Sequence, residues 1–336
     1  MNIFINKNVF PIEADRIRYY SLARHALLSA LQISGVSKGY RVLLPSFICR
    51  DLLAPIAMIE ATPVWYEVDE RLLPCEQSEV WPEAEFVLMV NYFGFPQDLQ
   101  PFLKYVARTS AILIEDNAHG FLSRDDDGNF LGSRGNYSIF SMRKTLRIPD
   151  GAALVINDLK KTSNIPNQLP FNGVGLHSAQ TIKRLLRRLP IAGKYILNIF
   201  NCLIRQIRKL KTGSKFPLPN PNSEFEITES ANPWKGLLDS LRDCNVNSEI
   251  QRRRARYFEC ESLAKAAGIE PIFPFLPINC VPYGFPFRSD LVKIKVLQDY
   301  ADAHGLDLVK WPDLPDAISQ NAPSHYRKVS LVNFLW

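Results

Sequence analysis

The 336-residue chain has no C-x-x-C pair, no G-x-G-x-x-G, and no Asp or Glu between Leu159 and Ser223. Nor does any apolar run approach the ~18–20 residues that span a bilayer. Each absence removes a class. The six cysteines (Cys49, Cys75, Cys202, Cys244, Cys260, Cys280) are too scattered for a disulfide framework or a structural zinc site, so reduced thiols are expected. Without the glycine-rich turn a dinucleotide fold has no motif support. Met1-Asn2-Ile3-Phe4-Ile5-Asn6 lacks the basic region and long apolar stretch of a secretory signal, which predicts a cytoplasmic protein.

The gap in acidic residues has a counterpart. Residues 159–223 carry twelve Lys and Arg, while the whole chain has a net charge of +6, so everything outside that block is net acidic. A globally basic chain would point to nucleic acid; one basic block marks one local surface, and no nucleic-acid partner is expected. Lys183, Arg184, Arg187, Arg188, Arg205, Arg208, Lys209 and Lys211 alternate with Ile, Leu and Phe at helical spacing. Three readings stay open. The block forms solvated amphipathic helices covering the core, contacts a nucleotide diphosphate, or rests through residues 183–215 on an anionic membrane as a peripheral protein.

With 46% hydrophobic and 22% charged residues, the composition is that of a globular chain long enough for one large domain and a smaller one. Apolar spacing predicts a helix over residues 16–34, ended by Gly35 and Gly39. Short apolar strands follow at 42–45, 62–68, 86–91 and 111–115, separated by helices at 49–60 and 97–108. This β–α–β alternation predicts a doubly wound, mainly parallel α/β sheet. A returning strand is expected at 152–156, then helical patches at 179–189 and 193–210 and a loop at 211–221. A long helix is expected over 233–268, open to interruption at Asn245 and Asn247. Short strands around a helix at 291–304 complete a small C-terminal α+β domain. The expected division is a large domain over 1–232, with the basic helical segment at 159–223, and a small domain over 233–336.

Ile114-Glu115-Asp116-Asn117-Ala118-His119 and Ser138-Ile139-Phe140-Ser141-Met142-Arg143-Lys144 each begin apolar and end in ionisable side chains. Buried parallel strands look this way when they deliver chemistry at their C-terminal edge. Pyridoxal 5'-phosphate (PLP) asks four things of a protein: an amine to capture its aldehyde, a carboxylate for its ring nitrogen, a group to hold the ring, and donors for its phosphate. Lys144, Asp116 and His119 fill the first three roles. The start of the first helix at Ala23-Arg24-His25 fills the last, with Ser141 an added hydroxyl donor. A lone lysine after a strand is ordinarily solvated, and a lone histidine ordinarily structural. Their order with Asp116 is what sets these apart. Glu115 is expected to point away to a structural partner. Asp125-Asp126-Asp127-Gly128-Asn129 does not make a calcium loop, because position 134, where an EF-hand needs Glu, is Arg; a β-turn is expected instead. Thr212-Gly213-Ser214-Lys215 lacks P-loop spacing.

At these residues the chain resembles the DegT/DnrJ/EryC1/StrS sugar aminotransferases, PLP-dependent enzymes of fold type I. The resemblance runs in order over most of residues 20–156. It is carried by Gly39-Tyr40-Arg41-Val42-Leu43-Leu44-Pro45-Ser46, Glu115-Asp116-Asn117-Ala118-His119, Gly132-Ser133-Arg134-Gly135, Phe140-Ser141-Met142-Arg143-Lys144 and Asp150-Gly151-Ala152-Ala153. Arg252 to Tyr257 resembles the family's helix before the small domain. The resemblance implies amino transfer from glutamate to a keto sugar, usually nucleotide-linked, and a homodimer. A dehydratase of the same family carries His where this chain has Lys144, and a non-catalytic relative would keep the fold alone. Three departures stand out. Ser141 lies closer to Lys144 than is usual, Leu22-Ala23-Arg24 replaces a small-Gly-Thr phosphate turn, and Ala152 replaces a second Gly. The sequence also ends at Phe334-Leu335-Trp336, about where the family's last strand would begin, so either a poorly closed small domain or a truncated copy is expected.

Overall fold

The computed structural model describes residues 10–35, 38–75, 77–158, 165–175, 203, 206, 207, 210, 220–288 and 294–335. The expected helical patches at 179–189 and 193–210 and the loop at 211–221 therefore lie almost wholly outside the described residues. The four described positions between residues 179 and 210 include Leu203, Ile207 and Leu210, all exposed. These three do not cover the core.

Seven strands form the main sheet in the order β1-β7-β6-β5-β4-β2-β3. They are β1 (Ile17–Tyr20), β2 (Arg41–Pro45), β3 (Thr62–Tyr66), β4 (Phe86–Val90), β5 (Ile112–Asn117), β6 (Tyr137–Phe140) and β7 (Ala152–Ile156). Strands β2 to β6 pair parallel, while β7 runs against both β6 and β1. The result is the mixed α/β, mostly parallel sheet that the sequence predicts. β4 is buried at every position, as a strand covered on both faces must be. β7 is likewise buried throughout, and it alternates: Ala152, Leu154 and Ile156 enter one apolar cluster, Ala153 and Val155 the other.

The first helix is a correction. Residues 17–20 are strand, and helix α1 spans only Ala23–Ile33. Ile17, Tyr19 and Tyr20 are β-branched or aromatic, and they place side chains alternately in the two clusters on either side of the sheet. Antiparallel pairing of Ile17 with Val155 and Tyr20 with Ala152 overrides the helical spacing. The helix expected at 49–60 is a 3-10 turn, Arg50–Leu52, followed by the short α2, Ala54–Met58, whose first turn holds Pro55. Helix α3 is Gln100–Thr109.

The long helix expected at 233–268 is broken into α4 (Leu237–Arg242) and α5 (Val246–Ala266). Asn245 makes the break, its side chain accepting from Ser248 N–H at 3.0 Å as the α5 N-cap. Past it lies a four-stranded antiparallel sheet, ordered β10-β11-β9-β8. Its strands are β8 (Glu270–Pro271), β9 (Gly284–Arg288), β10 (Asp307–Lys310) and β11 (Val329–Asn333), with helix α6 (Lys295–Ala303) between β9 and β10. β11 is an interior strand, paired on one side with β10 and on the other with β9.

The aspartate-rich stretch folds as the expected turn. Asn129 N–H donates to Asp125 Oδ1 at 2.8 Å, and Arg124 bridges Phe130. No group of three metal-ligating side chains occurs among the described residues. No helix there is long and apolar enough to cross a membrane.

Candidate active site

Strands β4, β5 and β6 all end on one edge of the main sheet, and helix α1 begins beside it. A cavity of about 160 Å³ opens there, and its wall includes Lys144, Asp116, His119, Ser141, Ala23 and Arg24. All six residues singled out from sequence meet at this one place.

Strand geometry accounts for the two neighbouring acids. Because successive side chains point to opposite faces, Glu115 and Asp116 lead separate lives. Glu115 is fully buried and accepts from Arg134 Nε at 2.9 Å, from Asn91 Nδ2 at 2.9 Å, and from the Gly132 N–H at 2.9 Å. Gly132 is glycine for cause: at φ +109° a Cβ would run into the Phe140 ring. Asp116 instead faces the cavity, where one oxygen accepts from Ala118 N–H at 2.8 Å. Burial raises its pKa, the Ala118 bond and Lys144 opposing the shift.

His119 is held as a flat plate. Its ring stacks on Tyr283 at 4.2 Å and 3°, and on Phe93 at 5.6 Å and 14°. Phe93 adopts a left-handed backbone (φ 56°), as does Gly94 (φ 93°), whose absent Cβ would lie 2.5 Å from the Val281 carbonyl. That turn lets Phe93 N–H donate to His119 Nδ1 at 3.4 Å. The ring's own hydrogen is thereby assigned to Nε2, which lies 3.1 Å from Lys144 Nζ. A neutral imidazole that donates there needs an amine with a free lone pair. Both groups are shifted in that sense. Burial first, then the charges of Lys144 and Arg253, hold His119 well below the usual imidazole range. Lys144 is lowered by burial and by Arg143, with Cys49 and Asp116 opposing.

Lys144 itself sits in a 3-10 turn, Met142–Lys144, directly after β6. The turn is anchored from far away in sequence. Arg253 of α5, fully buried, donates Nη2 to the carbonyls of Lys144 (3.0 Å) and Thr145 (2.9 Å) and Nη1 to those of Pro282 (3.2 Å) and Tyr283 (3.1 Å). Its Nε pairs with Glu249 at 2.7 Å, and burial lowers its pKa to about 10.

The first turn of α1 leaves donors free. Hydrogen bonding within the helix begins with His25 and Ala26, both donating to the Leu22 carbonyl. The N–H groups of Ala23 and Arg24 thus open the helix toward the cavity. The Arg24 side chain pairs with Glu229 at 2.6 Å and Asp51 at 3.3 Å.

Sequence reasoning missed several wall and support residues. Arg143 and Cys49 also line the cavity, as does Trp311, which the second sheet's region contributes. Arg143 stood beside a named residue and could have been found. Tyr283 and Trp311 carried no local signal, since only tertiary packing brings them to His119. Arg253 lay within a stretch noted solely for resemblance.

A seven-stranded, mostly parallel sheet with an amine, a carboxylate and an imidazole at its C-terminal edge defines a PLP protein of fold type I. The sequence model of the DegT/DnrJ/EryC1/StrS aminotransferase family matches residues 20–209, and the chain belongs to that family. Its cofactor is PLP. Solved structures agree in fold. The aminotransferase TlmJ from Streptoalloteichus hindustanus is similar at 16% identity and TM-score 0.60, over 97% of this chain and 82% of that one. DesV of S. venezuelae is similar at 20% identity and TM-score 0.61, over 94% and 79%. The GDP-4-keto-6-deoxymannose-3-dehydratase ColD is similar at 14% identity and TM-score 0.59, over 98% and 88%.

The residues present fit the cofactor. An amine with its pKa lowered, a buried carboxylate and open helix N–H groups share one cavity. Two guanidinium nitrogens on its wall, Arg24 Nε and Arg143 Nε, are buried without a partner.

Proposed function

We propose that the protein transfers an amino group from glutamate to a keto sugar, carried on a nucleotide, in the synthesis of an amino sugar or surface polysaccharide. The observation that carries this reading is the Lys144 amine, depressed in pKa and 3.1 Å from His119, in the same cavity as Asp116. When bound, PLP supplies an aldehyde that captures amines and a ring that accepts the electrons released on deprotonation.

The side chains divide the remaining work. Lys144 Nζ, its pKa lowered by burial and the neighbouring Arg143, would hold the cofactor and move the proton from the α-carbon of the donor. Asp116 keeps the ring nitrogen protonated. His119, with its Nε2–H beside Lys144 Nζ, would orient the ring. Ser141 and the first turn of α1, at Ala23 and Arg24, receive the phosphate. Lysine at position 144 favours amino transfer over dehydration, which the resemblance ties to His there.

The partners proposed with this activity are a second copy of the chain and, through residues 183–215, an anionic membrane surface. The exposed Leu203, Ile207 and Leu210 support the latter. A cytoplasmic site of action goes with this reading.

The deciding experiment is borohydride reduction of the protein loaded with PLP, followed by peptide mapping. The modified residue is expected to be Lys144, and Lys144→Ala should lose both the visible absorbance of bound cofactor and turnover with glutamate and a panel of nucleotide-linked keto sugars. A Lys144→Ala protein that keeps colour and turnover would end the assignment.

A further inference from the structure

Arg143 lines this cavity, and beyond its effect on Lys144 the roles above leave its own hydrogen-bonding capacity unused. It follows Met142 in the turn after β6, next to Lys144, and its Nε is sealed from solvent with no hydrogen-bond partner. Among the described residues no ion pair reaches its guanidinium. The carboxylates that act on it are committed elsewhere. Asp51 lies 3.3 Å from Arg24 Nη1, and Asp150 accepts the Trp234 N–H at 3.0 Å. Its other charged neighbour, Arg24, repels it, and that side chain also has a buried Nε with no partner. Burial and the Arg24 charge together lower the Arg143 pKa. Two guanidiniums therefore face one small cavity beside the open first turn of α1, each with an unanswered N–H.

Buried cations are retained where something answers them. A phosphate dianion answers this arrangement: it takes charge-assisted hydrogen bonds from planar guanidinium edges and from helix N–H groups together. The geometry points to Arg143, with Arg24 beside it, as the anchor of the cofactor's phosphate. A guanidinium clamp thus stands in for the small-Gly-Thr turn that Leu22-Ala23-Arg24 replaces. This rests on the PLP reading above, and its test separates the two.

The probe is a comparison of PLP with pyridoxal, which lacks the phosphate. Arg143→Met is expected to weaken PLP binding on the order of 10- to 100-fold while pyridoxal affinity changes far less. Loss of the Arg143 charge also raises the Lys144 pKa, but that acts equally on both aldehydes and cancels in their ratio. Inorganic phosphate supplies a second readout, without the aldehyde. It should raise the melting temperature of the cofactor-free wild type and leave that of Arg143→Met unmoved. Without phosphate, Arg143→Met should melt no lower than wild type, because it removes an unpaired buried charge, whereas a merely structural arginine would melt lower. An unchanged PLP-to-pyridoxal ratio in Arg143→Met, with both still bound, overturns the anchor and leaves the cofactor reading standing. A wild type that binds neither aldehyde overturns both.

Discussion

Arg253 donates to the backbone carbonyl of Lys144 at 3.0 Å from a helix more than a hundred residues further along the chain. The same guanidinium holds Tyr283, whose ring stacks on His119, through its carbonyl at 3.1 Å. One fully buried cation therefore fixes both the amine that would bind the cofactor and the plate beside it. Glu249 answers its charge at 2.7 Å.

Arg253→Met should cost about 3–5 kcal/mol of stability, because four carbonyls lose a buried donor and Glu249 is left with Arg252 alone. Arg253→Lys should recover little, since one ammonium cannot reproduce a planar fork. Urea unfolding of the two variants against wild type checks this, and a loss under 1 kcal/mol in Arg253→Met would contradict it.

Adjacent acids should fail differently. Glu115→Ala strands Arg134, which pairs with it at 2.8 Å, and is expected to lose about 3–5 kcal/mol of stability. Asp116→Asn should unfold near wild type yet slow amino transfer by roughly 10²–10⁴-fold, the scale of losing a positioned proton-holding group. Parallel unfolding and turnover measurements settle it. Equal stability losses in both variants would contradict the division.

His119 makes acid stability the third test. Its folded pKa lies well below 6.5, so below about pH 6.5 the unfolded chain binds a proton that the folded one refuses. Stability must then fall as pH falls, by up to about 1.4 kcal/mol per pH unit, until the folded pKa is reached. Above about pH 7 the term vanishes. His119→Gln should flatten this part of the curve. Unfolding free energies of both proteins between pH 5 and 8 supply the slopes, and identical slopes would show that the ring titrates normally.

Much of this site was legible because it depends on chain order along single strands. β4, wholly apolar, reads as covered on both faces, and β5 and β6 read as strands that turn polar at their ends. Asp116, His119 and Lys144 follow from that. β1 did not read as a strand, because Ile17 to Ile33 keeps a helix-compatible spacing until pairing with β7 intervenes. The break between α4 and α5 was legible in Asn245, whereas Arg143 needed its missing partner to be noticed. Tyr283, Trp311 and Arg253 arrive from the second sheet and its helix, so no local pattern could announce them.

The pairing of Ile17 with Val155 also bears on how the chain comes into being. Edge strand β1 waits for a partner that leaves the ribosome well over a hundred residues after it. Until then Tyr19 and Tyr20, both buried in the finished protein, stand open to wrong neighbours. Contacts of such range are slow to close, so this edge stays open to aggregation until β7 emerges.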